Sequence, residues 1–250
     1  MKKILLLFLT FTIVFVSKLN ADVYAVIVGV EIYDGTVNNL SASVDDAERV
    51  YKFFSNITKS ENLVILKDKQ ATKENILYEM DKIFSKAKED DLVIFYYSGH
   101  GAPGLFCPHN VNGGASGLRH SEIRAAFKKS KAKTKLCLAD ACYSGSIVGS
   151  KSNTSTTHVT SPGADNVIIF MSSRDSETSL ESVNQVTGYF TKHLLLGLSG
   201  RADTNSDGVV NAYELYAYVR RNVKNDSQGG QTPVMFGNFD KYLPILKYKK

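Results

Sequence analysis

A chain of 250 residues has room for one α/β domain with a complete core and is short for two. Its 43% hydrophobic and 22% charged residues are ordinary for a globular protein and argue against general disorder. The net charge is +5, of which Lys2, Lys3 and Lys18 carry three units and leave +2 for the remainder. Because the other lysines are scattered, the sequence predicts no nucleic-acid partner.

The first 21 residues have the pattern of a secretory signal peptide. A basic start, Met1-Lys2-Lys3, precedes an apolar run over residues 4–16 and a polar region that ends at Ala21. The apolar run is too short to span a bilayer comfortably as a permanent helix. We therefore expect cleavage after Ala21 and export of residues 22–250 as one domain, to the periplasm or the exterior. An uncleaved N-terminal anchor, which would hold the protein at a membrane, is the alternative.

Short apolar runs alternate with amphipathic stretches in the rest of the chain. The apolar runs predict buried strands at residues 23–30, 63–66, 91–97, 135–139 and 167–171. Apolar residues spaced by three and four predict helices at residues 44–54, 72–87, 121–129 and 189–198. This alternation predicts an α/β fold, with a mostly parallel sheet covered on both faces. In such sheets, functional residues gather at the carboxyl ends of the strands.

Two of the predicted strands end in loops with reactive side chains. The third strand leads into Ser98-Gly99-His100-Gly101, and the fourth into Asp140-Ala141-Cys142. An imidazole can help to generate the nucleophilic thiolate of a cysteine and can later protonate a leaving amine. If the two strands are neighbours, His100 and Cys142 emerge side by side. The backbone N–H groups of Gly101 and Cys142 are then candidate donors to a developing oxyanion.

The cysteine count is consistent with a thiol kept for its chemistry. All three cysteines, Cys107, Cys137 and Cys142, follow the predicted signal peptide, and an odd number leaves at least one thiol without an intramolecular partner. Cys137 lies inside the fourth predicted strand, where we expect a small buried hydrophobic residue. From spacing alone, purely structural roles for His100 and Cys142 remain open.

The motif around His100, followed 42 residues later by Cys142 in Asp140-Ala141-Cys142-Tyr143-Ser144-Gly145, resembles the caspase and metacaspase family, peptidase family C14. Asp140 matches the metacaspases, whereas Tyr143 stands where they usually carry His. Weaker matches occur at residues 26–29, 46–47, 188–191 and 231–233. The resemblance implies a caspase-like three-layer sandwich, with a mostly parallel sheet of about six strands flanked by helices. It also implies a cysteine endopeptidase that uses a His100/Cys142 dyad.

The resemblance further implies an acidic substrate pocket. By motif position, its residues are Asp46, Ser98 and Asp140. Two carboxylates in one recess favour a guanidinium or ammonium group, so we expect cleavage of proteins or peptides after Arg or Lys. The alternatives are that Asp46 is a solvated acid on a helix and that Asp140 caps a loop.

Residues 203–214 match the twelve-residue EF-hand calcium loop. The predicted ligands are side-chain oxygens and one backbone carbonyl, from Asp203, Asn205, Asp207, Val209 (carbonyl), Asn211 and Glu214. Gly208 allows the sharp turn within the loop. Because the chain has one such loop, we expect the Ca²⁺ to be structural and to hold the following helix against the domain. A turn that binds no metal is the alternative, and no organic cofactor is implied.

Two other functions remain open at this point. The chain could be a catalytically inactive, calcium-stabilised binding module on a caspase-like scaffold. The presence of both His100 and Cys142 argues against it, because an inactive relative is free to lose either residue. It could also be a thiol hydrolase that acts on non-peptide amides, in which case paired acids would have no place in its pocket.

Overall fold

The computed structural model describes residues 21–35, 37–112, 116–141, 167–172 and 187–248. Residues 1–20 of the predicted signal peptide lie outside these ranges, and so does the predicted nucleophile Cys142. Within the described ranges, no helix has the length and apolar character needed to cross a membrane. The described residues contain the predicted sheet, the histidine loop and the predicted calcium loop.

The described residues contain the following strands and helices, in chain order. The strands are β1 (Val23–Gly29), β2 (Leu63–Lys67), β3 (Leu92–Ser98), β4 (Gly101–Ala102), β5 (Leu105–Phe106), β6 (Leu118–Arg119), β7 (Thr134–Asp140), β8 (Val167–Met171), β9 (Val209–Asn211), β10 (Val234–Asn238) and β11 (Pro244–Lys247). The helices are α1 (Ser43–Ser55), α2 (Lys73–Phe84), α3 (His120–Lys129), α4 (Tyr189–Leu196) and α5 (Ala212–Asp226). All the strands and helices predicted above are present, with ends displaced by a few residues.

Six strands form the central sheet, in the order β10-β8-β7-β3-β1-β2. The strands from β8 to β2 run parallel to their neighbours, whereas β10 runs antiparallel to β8. The expected mostly parallel sheet of about six strands is therefore confirmed. The sequence does not predict β10, because its five residues include Gly237 and show no alternation. Pairing with β8 gives this segment its extended form.

Helices cover both faces of the sheet and complete the three layers. In β1, Val26 and Val28 face a core formed with α2 and α3, while Ala25 and Ile27 face a second core formed with α1, α4 and α5. All seven residues of β1 are buried, so this strand appears in the sequence as a continuous apolar run. The three-layer sandwich expected from the resemblance is confirmed.

The strand order places a topological switch point next to the histidine loop. The chain passes from β1 to β2 on one side of β1 and then returns to β3 on its other side. The connections after β1 and β3 therefore lead to opposite sides, so a topological switch point lies between the carboxyl ends of these two adjacent strands. Open α/β sheets bind their ligands in the crevice at such a switch point.

A small antiparallel sheet of three strands, in the order β4-β5-β6, follows the histidine loop. Each of its strands has two residues, too few for a periodic pattern in the sequence. The ring of Phe106 stacks on Tyr97 of β3 at a centroid distance of 4.5 Å. This contact fixes the segment after His100 against the central sheet.

Candidate active site

The two loops that carry the predicted dyad leave from adjacent strands. Strand β3 pairs in parallel with β7, in a register that places Ser98 opposite Asp140. The backbone N–H of Gly99 continues this pairing with a bond of 3.2 Å to the carbonyl of Asp140. The expectation that these strands are neighbours is confirmed. Cys142 follows Ala141, the last residue described at the end of β7, and its pairing with His100 stays a prediction.

The imidazole of His100 is held by the loop after β1. Its Nε2 lies 2.8 Å from the backbone carbonyl oxygen of Asn38. A carbonyl oxygen can only accept a hydrogen bond, so Nε2 carries the proton in the neutral ring. Nδ1 is then the nitrogen with the free lone pair. This tautomer leaves Nδ1 as the atom that can take a proton from a thiol.

Tyr33, also in the loop after β1, fixes the backbone of His100. The N–H of His100 donates to the Tyr33 hydroxyl at 2.7 Å, and that hydroxyl donates in turn to the carbonyl of Val30 at 3.0 Å. The two rings pack together with their centroids 5.0 Å apart. Tyr33 therefore restricts both the backbone and the ring of the histidine.

A second tyrosine supports the other side of the same loop. The hydroxyl of Tyr97 lies 2.9 Å from the carbonyl of His100 and 2.7 Å from that of Cys107, and its proton can be shared between them. Gly99 has a φ of +154°, and a Cβ there would lie 2.6 Å from the Tyr97 hydroxyl and 2.8 Å from that of Tyr33. The loop therefore requires glycine at this position. Gly101, the predicted oxyanion donor, begins β4 directly after the histidine.

The two described cysteines are poor nucleophiles. Cys107 and Cys137 are both free and buried. Burial raises the pKa of the Cys107 thiol to about 11 and that of Cys137 to about 12, because the thiolate loses its hydration. Both thiols stay protonated at neutral pH, which makes them unreactive. Cys142 is the remaining candidate for the nucleophile.

The structure brings the three predicted pocket residues to one place. Asp46 and Asp140 are 2% and 6% exposed, and Ser98 is also buried. A Cβ added at Gly188 would collide with Oδ2 of Asp140 and lie 3.0 Å from Oδ2 of Asp46, so the two carboxylates flank this glycine. The alternative in which Asp46 is a solvated helix acid is wrong, because its side chain lies inside the fold.

The first turn of α4 supplies hydrogen-bond donors to both acids. The N–H of Gly188 donates to Asp46, at 3.1 Å from Oδ1 and 3.2 Å from Oδ2. Thr191 donates to Oδ2 of Asp140 from its N–H at 3.3 Å and from its hydroxyl at 3.0 Å. Asp140, at the end of β7, therefore caps the first turn of a helix, whereas its alternative role was to cap a loop. The positive end of α4 also favours the two negative charges.

The first half of the predicted calcium loop is closed by hydrogen bonds to Asp203. Its Oδ1 accepts the N–H of Asp207 at 3.3 Å, and its Oδ2 accepts that of Gly208 at 2.9 Å. Oδ2 also accepts the hydroxyl of Tyr248 at 2.7 Å. Asn205 Oδ1 accepts a further bond from Asp207 N–H at 3.0 Å. Gly208 has a φ of +83°, as the predicted sharp turn requires.

The second half of the loop joins β9 to α5, so the expected exiting helix is confirmed. Val209 and Asn211 lie in β9, and Asn211 and Glu214 cap each other's backbone at the start of α5. Oε1 of Glu214 accepts both the N–H and the hydroxyl of Thr204. The side-chain and carbonyl oxygen atoms of this loop are of the kind that Ca²⁺ prefers as ligands. In the described part of the chain, however, no three His, Cys, Asp or Glu side chains are grouped around a possible metal position.

Sequence reasoning missed the residues that orient the site: Tyr33, Asn38, Tyr97 and Thr191. Asn38 acts through its backbone carbonyl, which no residue type identifies. Tyr97 lies in an apolar run that predicts core packing, and Tyr33 lies in a mixed segment that gives no sign of its contact with His100. The match at residues 188–191 drew attention to Thr191 without indicating its contact with Asp140.

A mostly parallel six-stranded sheet, with an oriented histidine at its switch point and a cysteine after the adjacent strand, defines a caspase-like protein. The model of the caspase domain family, peptidase C14, matches residues 22–244. The chain belongs to this family. Membership implies cysteine peptidase chemistry.

Curated metacaspases are similar to parts of the chain. Metacaspase-1 of Debaryomyces hansenii is 32% identical over 93 residues, which are 34% of this chain and 21% of that protein. Metacaspase-8 of Arabidopsis thaliana is 25% identical over 143 residues, covering 50% of this chain and 37% of that protein. The chain thus spans less than half the length of these relatives.

A solved structure supports the fold over a larger part of the chain. The crystal structure of a Geobacter sulfurreducens protein superposes with a TM-score of 0.62 at 17% identity. The match covers 91% of this chain and all of that one. At this identity, the similarity shows the caspase-like fold and nothing about substrate.

We predict that Tyr33→Phe slows the alkylation of Cys142 by iodoacetamide about tenfold, the effect of losing one hydrogen bond that orients the histidine. The ring remains, so its packing is retained. The rate is measured by mass spectrometry of the modified peptide. Tyr78→Phe, at an exposed position on α2, is the matched control. An unchanged rate in Tyr33→Phe would show that the histidine does not depend on this contact.

Proposed function

We propose that the protein is a cysteine endopeptidase that uses His100 and Cys142 and cleaves after Arg or Lys. One observation carries the proposal: the ring of His100 is oriented by Asn38 at the end of β3, beside the strand that leads to Cys142. The contact fixes the tautomer that leaves Nδ1 available as a base, in the loop next to the chain that continues to Cys142. Family membership supplies independent support.

The proposed mechanism follows from the tautomer of His100. Nε2–H stays bonded to the carbonyl of Asn38, and Nδ1 takes the proton of the Cys142 thiol. The thiolate attacks the peptide carbonyl carbon, and the N–H groups of Gly101 and Cys142 stabilise the oxyanion. The imidazolium then protonates the leaving amine and leaves a thioester. His100 finally activates the water that hydrolyses the thioester and regenerates the thiol.

The acid pair supports specificity for basic residues. Asp46 and Asp140 are buried together, with Asp140 at the end of β7 and two residues before Cys142 in the sequence, and buried carboxylates attract a cationic partner strongly because little water screens them. An Arg side chain can bind carboxylates in a bidentate manner, and Lys can bind as a point charge. An acidic side chain would be repelled by both residues. The same argument favours a peptidase over a thiol hydrolase of uncharged amides.

We expect an acyloxymethyl ketone peptide with a C-terminal Arg to modify Cys142 and no other cysteine. Cys142→Ala removes the site of attachment, and His100→Ala is expected to slow labelling at least a hundredfold because the general base is lost. Mass spectrometry of the digested protein locates the adduct. Cys137→Ala is the matched control, since that thiol is buried and protonated. Absence of labelling in the wild type would favour the inactive binding module.

Hydrolysis of fluorogenic peptides that differ only in the residue before the cleaved bond tests the specificity. We expect Arg and Lys substrates to be cleaved at least a hundredfold faster than the Asp substrate, judged by kcat/KM. Asp46→Asn is expected to reduce this preference at least tenfold, because it removes one of the two charges. Asp81→Asn, at an exposed position on α2, is the control. A preference for Asp would refute the proposed specificity while leaving the dyad intact.

We also propose that the loop 203–214 binds Ca²⁺ in a structural role. Its ligands would be oxygen atoms of Asp203, Asn205, Asp207, Val209, Asn211 and Glu214. The hydrogen bonds of the loop and the capping of α5 support this role, since an ion there would hold the start of that helix. Calcium would supply charge neutralisation among the loop carboxylates and take no part in peptide cleavage.

Thermal unfolding with Ca²⁺ and with a chelator tests the calcium proposal. At a calcium concentration one hundred times the dissociation constant, we expect a stabilisation of about 2.7 kcal/mol, seen as a higher Tm. Asp207→Asn is expected to weaken the effect, because it removes a ligand charge. Asp240→Asn, an exposed acid outside the loop, is the matched control. An identical Tm with chelator would exclude a functional calcium site.

A further inference from the structure

A buried chain of three polar side chains leads from the central sheet to the acid pair. Tyr96 of β3 is fully buried, and its hydroxyl lies 2.6 Å from Oγ1 of Thr191 in α4. Thr191 Oγ1 lies in turn 3.0 Å from Oδ2 of Asp140. Thr191, which is also completely buried, therefore joins an acid of the proposed pocket to the core.

The direction of these hydrogen bonds follows from the chemistry of the groups. An ionised carboxylate only accepts, so the hydroxyl of Thr191 donates to Asp140. That hydroxyl has one proton, so it must accept from Tyr96. Burial raises the pKa of Tyr96 well above its usual range, and the charges of Asp46 and Asp140 raise it further. Tyr96 therefore keeps its proton. The hydroxyl hydrogen of Tyr96 points towards Thr191, and that of Thr191 points towards Asp140.

Thr191 holds the carboxylate of Asp140 in one orientation. Its N–H and its hydroxyl both donate to Oδ2, so rotation of the carboxylate would break two hydrogen bonds at once. Gly188, at the start of the same helix, holds Asp46 through its N–H, and the absence of a side chain lets it fit between the two acids. The first turn of α4 thus determines how the two carboxylates face each other.

We propose that Thr191 is a positioning residue for substrate recognition, which sets Asp140 in the orientation that accepts a basic side chain. This inference rests on the proposed specificity for Arg or Lys. Thr191 itself contacts no substrate and acts through Asp140. A fixed pair of carboxylates favours a cation because no further ordering is needed when the cation binds.

The test compares two reversible peptide aldehydes, one ending in Arg and the other in citrulline, its uncharged isostere. The ratio of their inhibition constants measures recognition of the charge. We expect Thr191→Val to lower this ratio about tenfold, the effect of one hydrogen bond to a charged group. Thr191→Ser keeps the hydroxyl and should retain the wild-type ratio. Alkylation of Cys142 by iodoacetamide, which requires no basic side chain, should be unchanged in both variants.

Thr58→Val is the matched control. Its hydroxyl donates to the carbonyl of Val23 at 2.9 Å, at the amino end of β1 and thus at the opposite edge of the sheet from the acids. The control should lose a hydrogen bond without losing charge recognition. Tyr96→Phe provides a second variant if Thr191→Val folds poorly, since it removes the donor to Thr191 and leaves the threonine in place. A smaller fall in the ratio is expected for Tyr96→Phe.

The outcomes separate this inference from the proposed function. A wild-type protein that binds both aldehydes equally refutes the specificity and the positioning role together. A wild-type preference for the Arg aldehyde that persists in Thr191→Val and in Tyr96→Phe refutes the positioning role alone. An equal loss of affinity for both aldehydes, accompanied by slower alkylation, would show that the threonine only stabilises the fold.

Discussion

The parallel pairing of β3 with β7 is the constraint on which the rest of the site depends. Its register places Ser98 opposite Asp140, at the carboxyl ends of both strands. The loop with His100 and the chain that continues to Cys142 therefore start from the same edge of the sheet. Every other contact at the site refines the position of groups that this pairing has already brought to one end of the molecule.

The loop after β1 and the first turn of α4 refine the two halves of the site. The first fixes the tautomer and the backbone of His100 through Asn38 and Tyr33. The second gives N–H and hydroxyl donors to Asp46 and Asp140. Burial of a charge is costly unless hydrogen bonds replace the lost water, so the acid pair can be buried only because such donors face it. The same contacts that anchor α4 thus allow two carboxylates to be buried side by side.

The C-terminal part of the chain connects this helix to the predicted calcium loop. The π-helical turn Gly197–Arg201 follows α4 and leads into the loop, and α5 then packs back against α4. Asp226 at the end of α5 binds Lys192 and His193 of α4, at 2.9 and 2.8 Å. Strand β11 pairs with β9 and closes the loop from the other side. A structural ion in the loop would therefore support the pair of helices, α4 and α5, of which α4 carries Thr191.

The sequence by itself predicted most strands and helices of the α/β domain, the loop with His100, and the burial of Asp46 and Asp140 at one place, and it named Cys142 and the two acids as candidates for the site. These features depend on local periodicity and on short motifs, which can be recognised without knowing the neighbours in space. Only the tertiary structure decided what orients them. Asn38 is 62 residues from His100, Tyr33 is 67 residues from it, and Thr191 is 51 residues from Asp140. Such contacts arise from strand order and helix packing, for which a single residue in the sequence carries no signal.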